Sequence, residues 1–253
     1  MREFRVIPIL LLSGNSFVKT INFKNPTYLG DSLNIIKLLN DKEVDEIVIF
    51  NIHHKKNTSI NYFRLSKIAS ECFIPLSYGG GISSIDDASK ILESGFEKVI
   101  LNTNALKNKL LKTISNKYGS SSTVACVDVK KTFFRTNSVY INNGKKRVNS
   151  KILDYVLRIQ DNGAGEIILQ SIDRDGTYKG YDLDLIESIT DKLEIPLIIA
   201  GGAGKFQDFK NAIQSGASAV AAGSLFSFKG THRAVLINYP TRSKLIKELY
   251  EAK

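Results

Sequence analysis

A carboxylate ends an apolar segment near the middle of the chain, where it could act in acid/base chemistry. Asp128 lies in the predicted strand Thr123–Val129, within the run Val-Ala-Cys-Val-Asp. Burying a carboxylate at the end of an apolar strand is costly, so such a group usually has a task. Asp128 is therefore our candidate general acid/base. The alternatives are a helix cap or a carboxylate paired with a lysine.

The loop Ser171–Thr177 carries further carboxylates towards the same site. It contains Asp173, Arg174 and Asp175. We predict that Asp175 works opposite Asp128 as a second catalytic residue. Asp173 is expected to pair with Arg174 and to order the loop.

Two glycine-rich segments have the composition of phosphate-binding turns. Gly79–Gly81 and Gly201–Gly204 each follow a predicted strand and begin a predicted helix. Glycines let the backbone approach an anion closely, and the N-terminus of a helix offers free N–H groups to it. Tight turns without a ligand are the alternative. In these turns the predicted phosphate-binding glycines are Gly81, Gly201 and Gly202, and Gly176 in a neighbouring loop is predicted to join them.

An internal repeat supports a paired site. Gly80-Gly81 and Gly201-Gly202 lie 121 residues apart, and Asn102-Thr103 matches Gly223-Ser224 at the same offset. The repeat divides the chain into halves at about residues 1–121 and 122–240, followed by a predicted helix over 241–253. We predict two phosphate cradles, one for each end of a ligand. The N-terminal cradle comprises Gly81, Asn102 and Thr103, and the C-terminal cradle comprises Gly176, Gly201, Gly202, Gly223 and Ser224.

Short apolar runs alternate with segments of helical periodicity. The runs are Phe4–Leu12, Glu46–Phe50, Ile74–Tyr78, Lys98–Leu101, Thr123–Val129, Glu166–Gln170, Pro196–Ala200 and Ala219–Ala222. The helical segments include Ser32–Leu39, Ser84–Leu92, Ser150–Asp161, Asp184–Lys192 and Phe206–Gln214. This alternation predicts an α/β fold, a (β/α)8 TIM barrel with a two-fold half-barrel repeat. Because no Pro-, Gly- or Ser-rich linker divides the chain, we expect a single domain over residues 1–253.

Charged residues stand at the starts of four predicted strands, at the end of the barrel opposite the glycine turns. We call this set the charge ring: Arg5, Glu46, Lys98 and Glu166. Two cations and two anions at the narrow end of a barrel can form a closed set of salt bridges. Such a set would act either as a structural plug or as a gate whose charges can separate.

The composition disfavours several classes of protein. The chain has 253 residues and a formal net charge of +10. No apolar run reaches the length of about 18 residues that spans a bilayer, so no membrane association is expected. The lysines are scattered and no platform of aromatic and basic residues appears, so nucleic acid is not an expected partner. A basic balance also suits a phosphorylated or nucleotide-linked small-molecule substrate, or an acidic partner protein.

The cysteines and histidines indicate neither a metal nor a cofactor. Cys72 and Cys126 both lie in apolar surroundings, as expected for buried free thiols in a reducing cytoplasm. The N-terminal apolar stretch lacks a signal-peptide pattern and is interpreted as a strand. His53-His54 has no third ligand at usable spacing, so contact with substrate or solvent is preferred over a metal site.

Together, these segments resemble the cyclase subunit of imidazole glycerol phosphate synthase (HisF). The resemblance extends from Arg5 to Phe226 and is most specific in Gly163–Thr177 and Ile199–Gly204. It implies an ammonia-dependent synthase of lyase type, whose barrel binds a substrate with a phosphate at each end. It also implies a glutaminase subunit, forming a heterodimer, docked on the face that carries the charge ring.

The resemblance also implies roles for single positions. The charge ring would gate ammonia arriving from the glutaminase. Lys19 corresponds to a lysine of the family's mobile first loop and would bind substrate. Asp128 supplies one member of the acid/base pair, at the end of the fifth strand.

The chain departs from the cyclase pattern at the first strand. Where cyclases have Cys-Leu-Asp-Val, this chain has Ile9-Leu10-Leu11-Leu12, so Leu11 occupies the place of the second catalytic aspartate. Asn51 replaces an aspartate and Gln170 replaces a threonine at two other strand ends. Since each general acid/base contributes about 10²–10⁴-fold, loss of one should severely weaken ordinary cyclisation.

The sequence is more similar to a paralogous branch, the WbuZ-type proteins associated with glycan amidation. The shared features are the Leu-Leu-Leu strand, Lys42–Glu46, Ala69–Leu76 and the tail Gly230–Pro240. This branch implies conversion of an acetamido group on a bacterial surface-glycan sugar precursor into an acetamidino group, with nitrogen from glutamine.

Two alternatives remain open: authentic histidine-pathway cyclisation, and a scaffold barrel that only activates the glutaminase. The chain is not expected to make its own ammonia, because Cys126 lies within a strand without the glycine turn and nearby histidine of a glutaminase nucleophile.

Overall fold

The computed structural model describes residues 4–42, 44–52, 60–133 and 136–250. Numbered along the chain, its strands are β1 (Arg5–Ser13), β2 (Ser16–Ile21), β3 (Lys24–Asp31), β4 (Ile47–Asn51), β5 (Leu76–Gly79), β6 (Lys98–Leu101), β7 (Thr123–Lys131), β8 (Asn137–Ile141), β9 (Lys146–Arg147), β10 (Glu166–Ser171), β11 (Leu197–Ala200), β12 (Ala219–Ala222), β13 (Phe228–Lys229) and β14 (Ala234–Val235). Its helices are α1 (Ser32–Asn40), α2 (Tyr62–Ser70), α3 (Ile85–Glu93), α4 (Leu110–Tyr118), α5 (Ile152–Asp161), α6 (Leu183–Thr190), α7 (Phe206–Gln214), α8 (Ser224–Ser227) and α9 (Arg242–Tyr250).

Parallel strands form a closed sheet. The order is β1-β4-β5-β6-β7-β10-β11-β12, and β12 pairs with β1 to complete the circle. Helices lie between consecutive strands, as a right-handed crossover requires. The prediction of a (β/α)8 TIM barrel is therefore confirmed. The exact division into half-barrels near residue 121 stays a prediction.

Alternation along the strands separates two apolar clusters. Inward-facing side chains of the barrel strands pack in its centre, including Ile7, Val48, Ile100, Val124 and Ile168. The residues between them face outward and join the larger core beneath the helices. The same alternation turns the charge ring inward at one end of the barrel and Asp128 inward at the other. We call this second end, formed by the C-terminal ends of the strands, the mouth.

An antiparallel hairpin extends from the first barrel strand across the mouth. β2 pairs with β1 through Leu11 and Leu12, and β3 pairs with β2. At the turn, the Asn22 backbone N–H donates to the Asp175 carbonyl at 3.0 Å. The Asn22 side chain donates to the carbonyl of Asp173 at 2.7 Å. The hairpin is thereby fixed against the loop after β10.

Helix α3 begins and ends at residues suited to capping a helix. Ser84 caps α3 in a reciprocal arrangement with Asp87, and Gly95 follows that helix with a φ of 106°. The predicted C-terminal helix is present as α9. Among the described residues, no helix combines the length and apolar character needed to cross a bilayer.

Candidate functional site

Asp128 lies inside the barrel at the mouth and is poised to exchange a proton. Its side chain is buried, with 6% of the residue exposed. Burial raises the pKa of Asp128 to about 7, opposed by Cys126 and Asn102 and assisted by the negative charge of Asp175. A carboxyl group with this pKa is suited to act as a general base or acid near neutral pH.

Cys126 is an unreactive neighbour of Asp128. Its Sγ lies 3.6 Å from Asp128 Oδ1. Burial, followed by the charge of Asp128, raises the pKa of the Cys126 thiol well above its ordinary value. The group is therefore protonated at neutral pH, unlike the thiolate that a glutaminase nucleophile requires.

Gln170 lies beside Asp128 on the neighbouring strand β10. The two residues are partners in the β10–β7 register. Gln170 is 6% exposed, and among the described residues its Oε1 atom has no hydrogen-bond partner. Leaving a buried acceptor unpaired costs about 1–3 kcal/mol, so this oxygen is a candidate contact for a ligand. From the sequence, Gln170 is identified only as the replacement of a threonine in the cyclase pattern.

Lys19 and Asp175 meet where the hairpin crosses the mouth. Lys19 Nζ lies 3.7 Å from Asp175 Oδ1, and both side chains are buried. The Thr20 hydroxyl also donates to Asp175 Oδ2, at 3.3 Å. The hairpin thus places the Lys19 ammonium group beside the loop Ser171–Thr177, which the sequence analysis identified as a candidate catalytic loop.

The C-terminal cradle is a cavity at the mouth. Its lining brings together seven predicted residues with three apolar neighbours: Lys19, Asp175, Gly176, Gly201, Gly202, Gly223 and Ser224, with Ile9, Ala203 and Ala222. At Gly223, an added Cβ would collide with Lys19 Nζ. Glycine at this position is what lets the lysine lie against the backbone.

The N-terminal cradle is assembled by amide hydrogen bonds. Asn104 Nδ2 donates to the Ile82 carbonyl at 2.8 Å, which ties the segment after β6 to the segment after Gly81. Asn102 Nδ2 donates to the Cys126 carbonyl at 3.0 Å. The Thr103 hydroxyl accepts the backbone N–H of Asn142 at 2.9 Å. Gly81, Asn102 and Thr103 therefore lie at the mouth, as expected.

Four backbone N–H groups immediately before α7 and α3 already have a carboxylate partner. Asp208 Oδ2 accepts the N–H groups of Gly204 and Lys205 at 2.8 and 3.0 Å. Asp87 Oδ2 likewise accepts those of Ser83 and Ser84 at 2.9 and 3.0 Å. Because these donors are occupied, the prediction of anion binding rests on the cradles and not on these helix ends.

The predicted Asp173–Arg174 pair is wrong. Asp173 Oδ2 instead accepts the Lys131 backbone N–H at 2.6 Å. The Arg174 guanidinium donates to the Lys179 and Gly180 carbonyls at 3.1 and 3.0 Å. The turn directs the two adjacent side chains to different neighbours, and each orders the loop separately.

Arg233 is a residue at the mouth that the sequence did not single out. It follows β13 in the tail, and its Nη1 donates to the Gly176 carbonyl at 2.9 Å. Its Nη2 lies 3.4 Å from the Ser224 hydroxyl. Gly176 and Ser224 both line the C-terminal cradle. A single basic residue in a polar tail carries little signal, because its contacts depend on how the tail folds back.

At the opposite end of the barrel, the charge ring is closed. Arg5 lies 2.7 Å from Glu46 and 2.6 Å from Glu166, and Lys98 lies 3.1 and 3.0 Å from the same carboxylates. The Ser77 hydroxyl adds a 2.7 Å hydrogen bond to Glu46. Burial opposes the charge of Arg5, but Glu166 and Glu46 outweigh it and raise the pKa of Arg5. The alternating charges thus bridge four strands.

Leu11 lies on β1 with 8% of the residue exposed and belongs to the apolar centre of the barrel. Like the side chain of Asp128, the Leu11 side chain points into the barrel. The mouth therefore has an apolar side chain where the cyclase pattern has a carboxylate. At the next strand, Asn51 Nδ2 donates to the Tyr78 hydroxyl at 3.2 Å.

No grouping of His, Cys, Asp and Glu able to hold a metal occurs in the described part of the chain. His53 and His54 lie outside the described residues.

Comparison with known proteins places the chain in a family. A family model described as "Histidine biosynthesis protein" matches residues 5–233. A Pseudomonas aeruginosa protein named "Putative imidazole glycerol phosphate synthase subunit hisF2" is 45% identical over 244 residues, covering 95% of this chain and 97% of the relative. A Leptospira borgpetersenii protein, "Putative imidazole glycerol phosphate synthase subunit HisF", is 46% identical over 240 residues, covering 93% and 94%. "Imidazole glycerol phosphate synthase subunit HisF" of Dictyoglomus thermophilum is 36% identical over 248 residues, covering 96% and 95%. The chain therefore belongs to the histidine biosynthesis protein family and is a homologue of the HisF subunits of imidazole glycerol phosphate synthase.

Proposed function

We propose that this chain is the synthase subunit of a glutamine amidotransferase pair that amidates a bacterial surface-glycan sugar precursor. Ammonia from a glutaminase subunit would pass the charge ring, cross the barrel and attack an activated amide carbon at the mouth. The new C–N bond forms as the C–O bond of the activated amide breaks and the oxygen leaves with its activating group. The acetamido group thereby becomes an acetamidino group. Such a pair would work in the cytoplasm, where glutamine and reduced thiols occur.

The observation that carries the proposal is the asymmetry between Leu11 and Asp128. Cyclisation in this family uses two carboxylates, whereas here one position is apolar and the other holds a carboxyl group with a pKa of about 7. A single group of this kind suffices to remove a proton from an attacking ammonia nitrogen. A leucine can take no part in proton transfer.

Gln170 could contact the nitrogen of an amide substrate. Its buried Oε1 can accept an N–H from an amide, an amidine or ammonia. It lies on the strand next to Asp128, so one N–H donor could reach both oxygens. The similarity to the WbuZ-type branch in the Leu-Leu-Leu strand and the tail agrees with this substrate class.

The charge ring supports a separate source of ammonia. It lies at the barrel end opposite Asp128, and its four charges meet at salt-bridge distances. Charges that attract one another in this way can separate when a neutral molecule passes between them. The inert Cys126 thiol is consistent with ammonia being made by another subunit.

Authentic histidine-pathway cyclisation is the second candidate, favoured by relatives at 36–37% identity that are named imidazole glycerol phosphate synthase subunit HisF. The two candidates separate when purified chain is given ammonium chloride and the histidine-pathway ribonucleotide. We expect no imidazole product. Efficient formation of the imidazole product would contradict the amidation proposal.

A barrel that merely activates the glutaminase is distinguished by Asp128→Asn. In a pair reconstituted with its glutaminase, we expect loss of amidation with glutamine hydrolysis retained. Unchanged amidation in this variant would favour the scaffold.

A further inference from the structure

Arg233 is held in a strained backbone conformation at the edge of the C-terminal cradle. It follows Gly230 in the turn between β13 and β14, and its N–H donates to the Gly230 carbonyl at 3.1 Å. Its φ is 50°, in the left-handed region. Such a conformation is unfavourable for a residue with a Cβ and persists when surrounding contacts hold it. The side chain supplies those contacts.

Two aromatic rings fix the guanidinium. Its Cζ lies 4.9 Å from the centre of the Tyr178 ring and 4.5 Å from that of Phe228. Tyr178 is itself anchored, because its hydroxyl donates to the Ser224 carbonyl at 3.1 Å. A guanidinium held between rings keeps its charge and its planar set of donors. The orientation of Arg233 is therefore set before any ligand arrives.

Two cations flank consecutive residues of the cradle. Lys19 Nζ lies against Gly223 from inside the cavity, and Lys19 is 4% exposed. Arg233 Nη2 approaches the Ser224 hydroxyl at 3.4 Å from the partly exposed edge. Asp175 partly balances Lys19, whereas Arg233 makes no salt bridge with a described residue. Positive charge is thus distributed from the interior of the cavity to its rim.

The Arg233 guanidinium has N–H donors that its described contacts do not use. Arginine carries five N–H bonds, and the described contacts of Arg233 use two of them. A guanidinium fork matches the oxygen atoms of a phosphoryl group, often with two parallel hydrogen bonds. The remaining donors could therefore bind an anion without breaking the contact with Gly176.

We propose that Lys19 and Arg233 bind the two phosphoryl groups of a diphosphate ester, one group at each cation. A diphosphate diester carries one negative charge on each phosphorus centre and so matches two separate cations. A phosphate monoester concentrates both charges on a single centre. The inference rests on the proposed function in that the substrate is a sugar precursor, and on the predicted C-terminal phosphate cradle. It narrows the substrate to a diphosphate-linked molecule.

Titration calorimetry of the full chain with inorganic phosphate and with pyrophosphate tests the inference. We expect wild type to bind pyrophosphate about 10-fold or more tightly than phosphate, since a charge-assisted contact is involved. Arg233→Ala should lose most of that advantage while its affinity for phosphate changes by less than about 3-fold. Lys229→Ala, a matched change at an exposed position of the same tail, should leave both affinities unchanged.

Arg233→Gln and Arg233→Lys test whether a folding defect explains the weaker binding of the alanine variant. Both keep a long side chain, but only lysine keeps the charge, so lysine should retain more of the preference for pyrophosphate. Equal binding of pyrophosphate by wild type, Arg233→Ala and Arg233→Gln would overturn the inference and leave Arg233 a structural residue. Equal affinity of wild type for the two anions would overturn the diphosphate assignment alone. Failure of wild type to bind either anion would overturn the predicted phosphate cradle and the inference with it, but not the proposed amidation.

Discussion

Lys19 Nζ and Asp175 Oδ1 lie 3.7 Å apart in a buried pair that joins the β2–β3 hairpin to the loop after β10. The pair places a cation in the C-terminal cradle and covers the mouth with the hairpin. The same side chain thus serves both the covering hairpin and the cradle. A ligand phosphate in the cradle would compete with Asp175 for Lys19.

Removing the Lys19 charge should weaken substrate binding. A hydrogen bond to a charged group contributes about 1.5–3 kcal/mol, so Lys19→Ala should raise the KM for a phosphate-bearing substrate by about 10- to 150-fold. Steady-state kinetics of the reconstituted pair measures this change. The matched control is Lys24→Ala, at an exposed position of the same hairpin. If both variants had the wild-type KM, Lys19 would not contact substrate.

The activity should titrate with Asp128. If Asp128 accepts a proton from ammonia, its ionised form is the active one, so kcat/KM should rise with pH through an inflection near the pKa of about 7. Supplying nitrogen as glutamine limits the separate effect of pH on free ammonia. Asp128→Asn should lower kcat by about 10²–10⁴-fold and abolish this inflection. An identical pH profile in the variant would assign the inflection to another group.

The Asp128 carboxyl group should lower the free energy of unfolding at alkaline pH. Burial raises the folded-state pKa of Asp128 to about 7 from an ordinary value of 3.8. The folded state therefore holds an extra proton between these values, and the associated stabilisation, fully present below 3.8, is lost as the pH rises through about 7.

Asp128→Asn should consequently be more stable than wild type at pH 8, by at most on the order of 4 kcal/mol. The difference should shrink towards pH 4. Urea denaturation at the two pH values measures it, with exposed Asp161→Asn as the control. A variant no more stable than wild type at pH 8 would contradict strong burial of the charged form.

Breaking the salt bridges of the charge ring should uncouple glutamine hydrolysis in the partner from amidation at the mouth. Arg5→Ala removes a partner from Glu46 and Glu166, and Glu46 is 3% exposed. Because Arg5 is partly exposed and Lys98 remains, we expect a loss of about 1–3 kcal/mol in unfolding free energy. Ammonia should also leak to solvent during glutamine-dependent turnover, whereas activity with added ammonium chloride should be retained.

The control for this variant is Lys37→Ala, which removes an exposed ion pair with Glu71. Surface pairs of this kind contribute about 0–1 kcal/mol. If Arg5→Ala changed neither glutaminase coupling nor leakage, the charge ring would be a structural plug.

The barrel and much of its mouth are predictable from local sequence. Each barrel strand is an apolar run, and glycines mark where the chain turns, so parallel strands bring Gly201, Gly223 and Asp175 to one end. The repeat adds the correspondence between the cradles. These features depend on short-range patterning and on one topological rule.

Contacts between distant segments are less predictable. β3 is largely exposed and polar, and it forms because β2 pairs with the extended end of β1. Arg233 lies 57 residues from Gly176 in sequence, so their hydrogen bond depends on how the tail returns to the mouth. The Asp173–Arg174 pair was wrong because backbone groups compete for both side chains. Asp173 accepts from the distant Lys131 N–H, whereas Arg174 donates to carbonyls within its own loop.

We expect that ammonia made by a partner reaches the mouth and is joined to an amide carbon there. The most direct measurement supplies the reconstituted pair with glutamine labelled with nitrogen-15 in its side-chain amide, together with an acetamido-sugar precursor and its activating factor. Mass spectrometry then follows the sugar in the presence of excess unlabelled ammonium. We predict an acetamidino product that carries the label, and loss of that product with Asp128→Asn. An unchanged acetamido group, alongside efficient imidazole formation from the histidine-pathway ribonucleotide, would contradict amidation at the mouth.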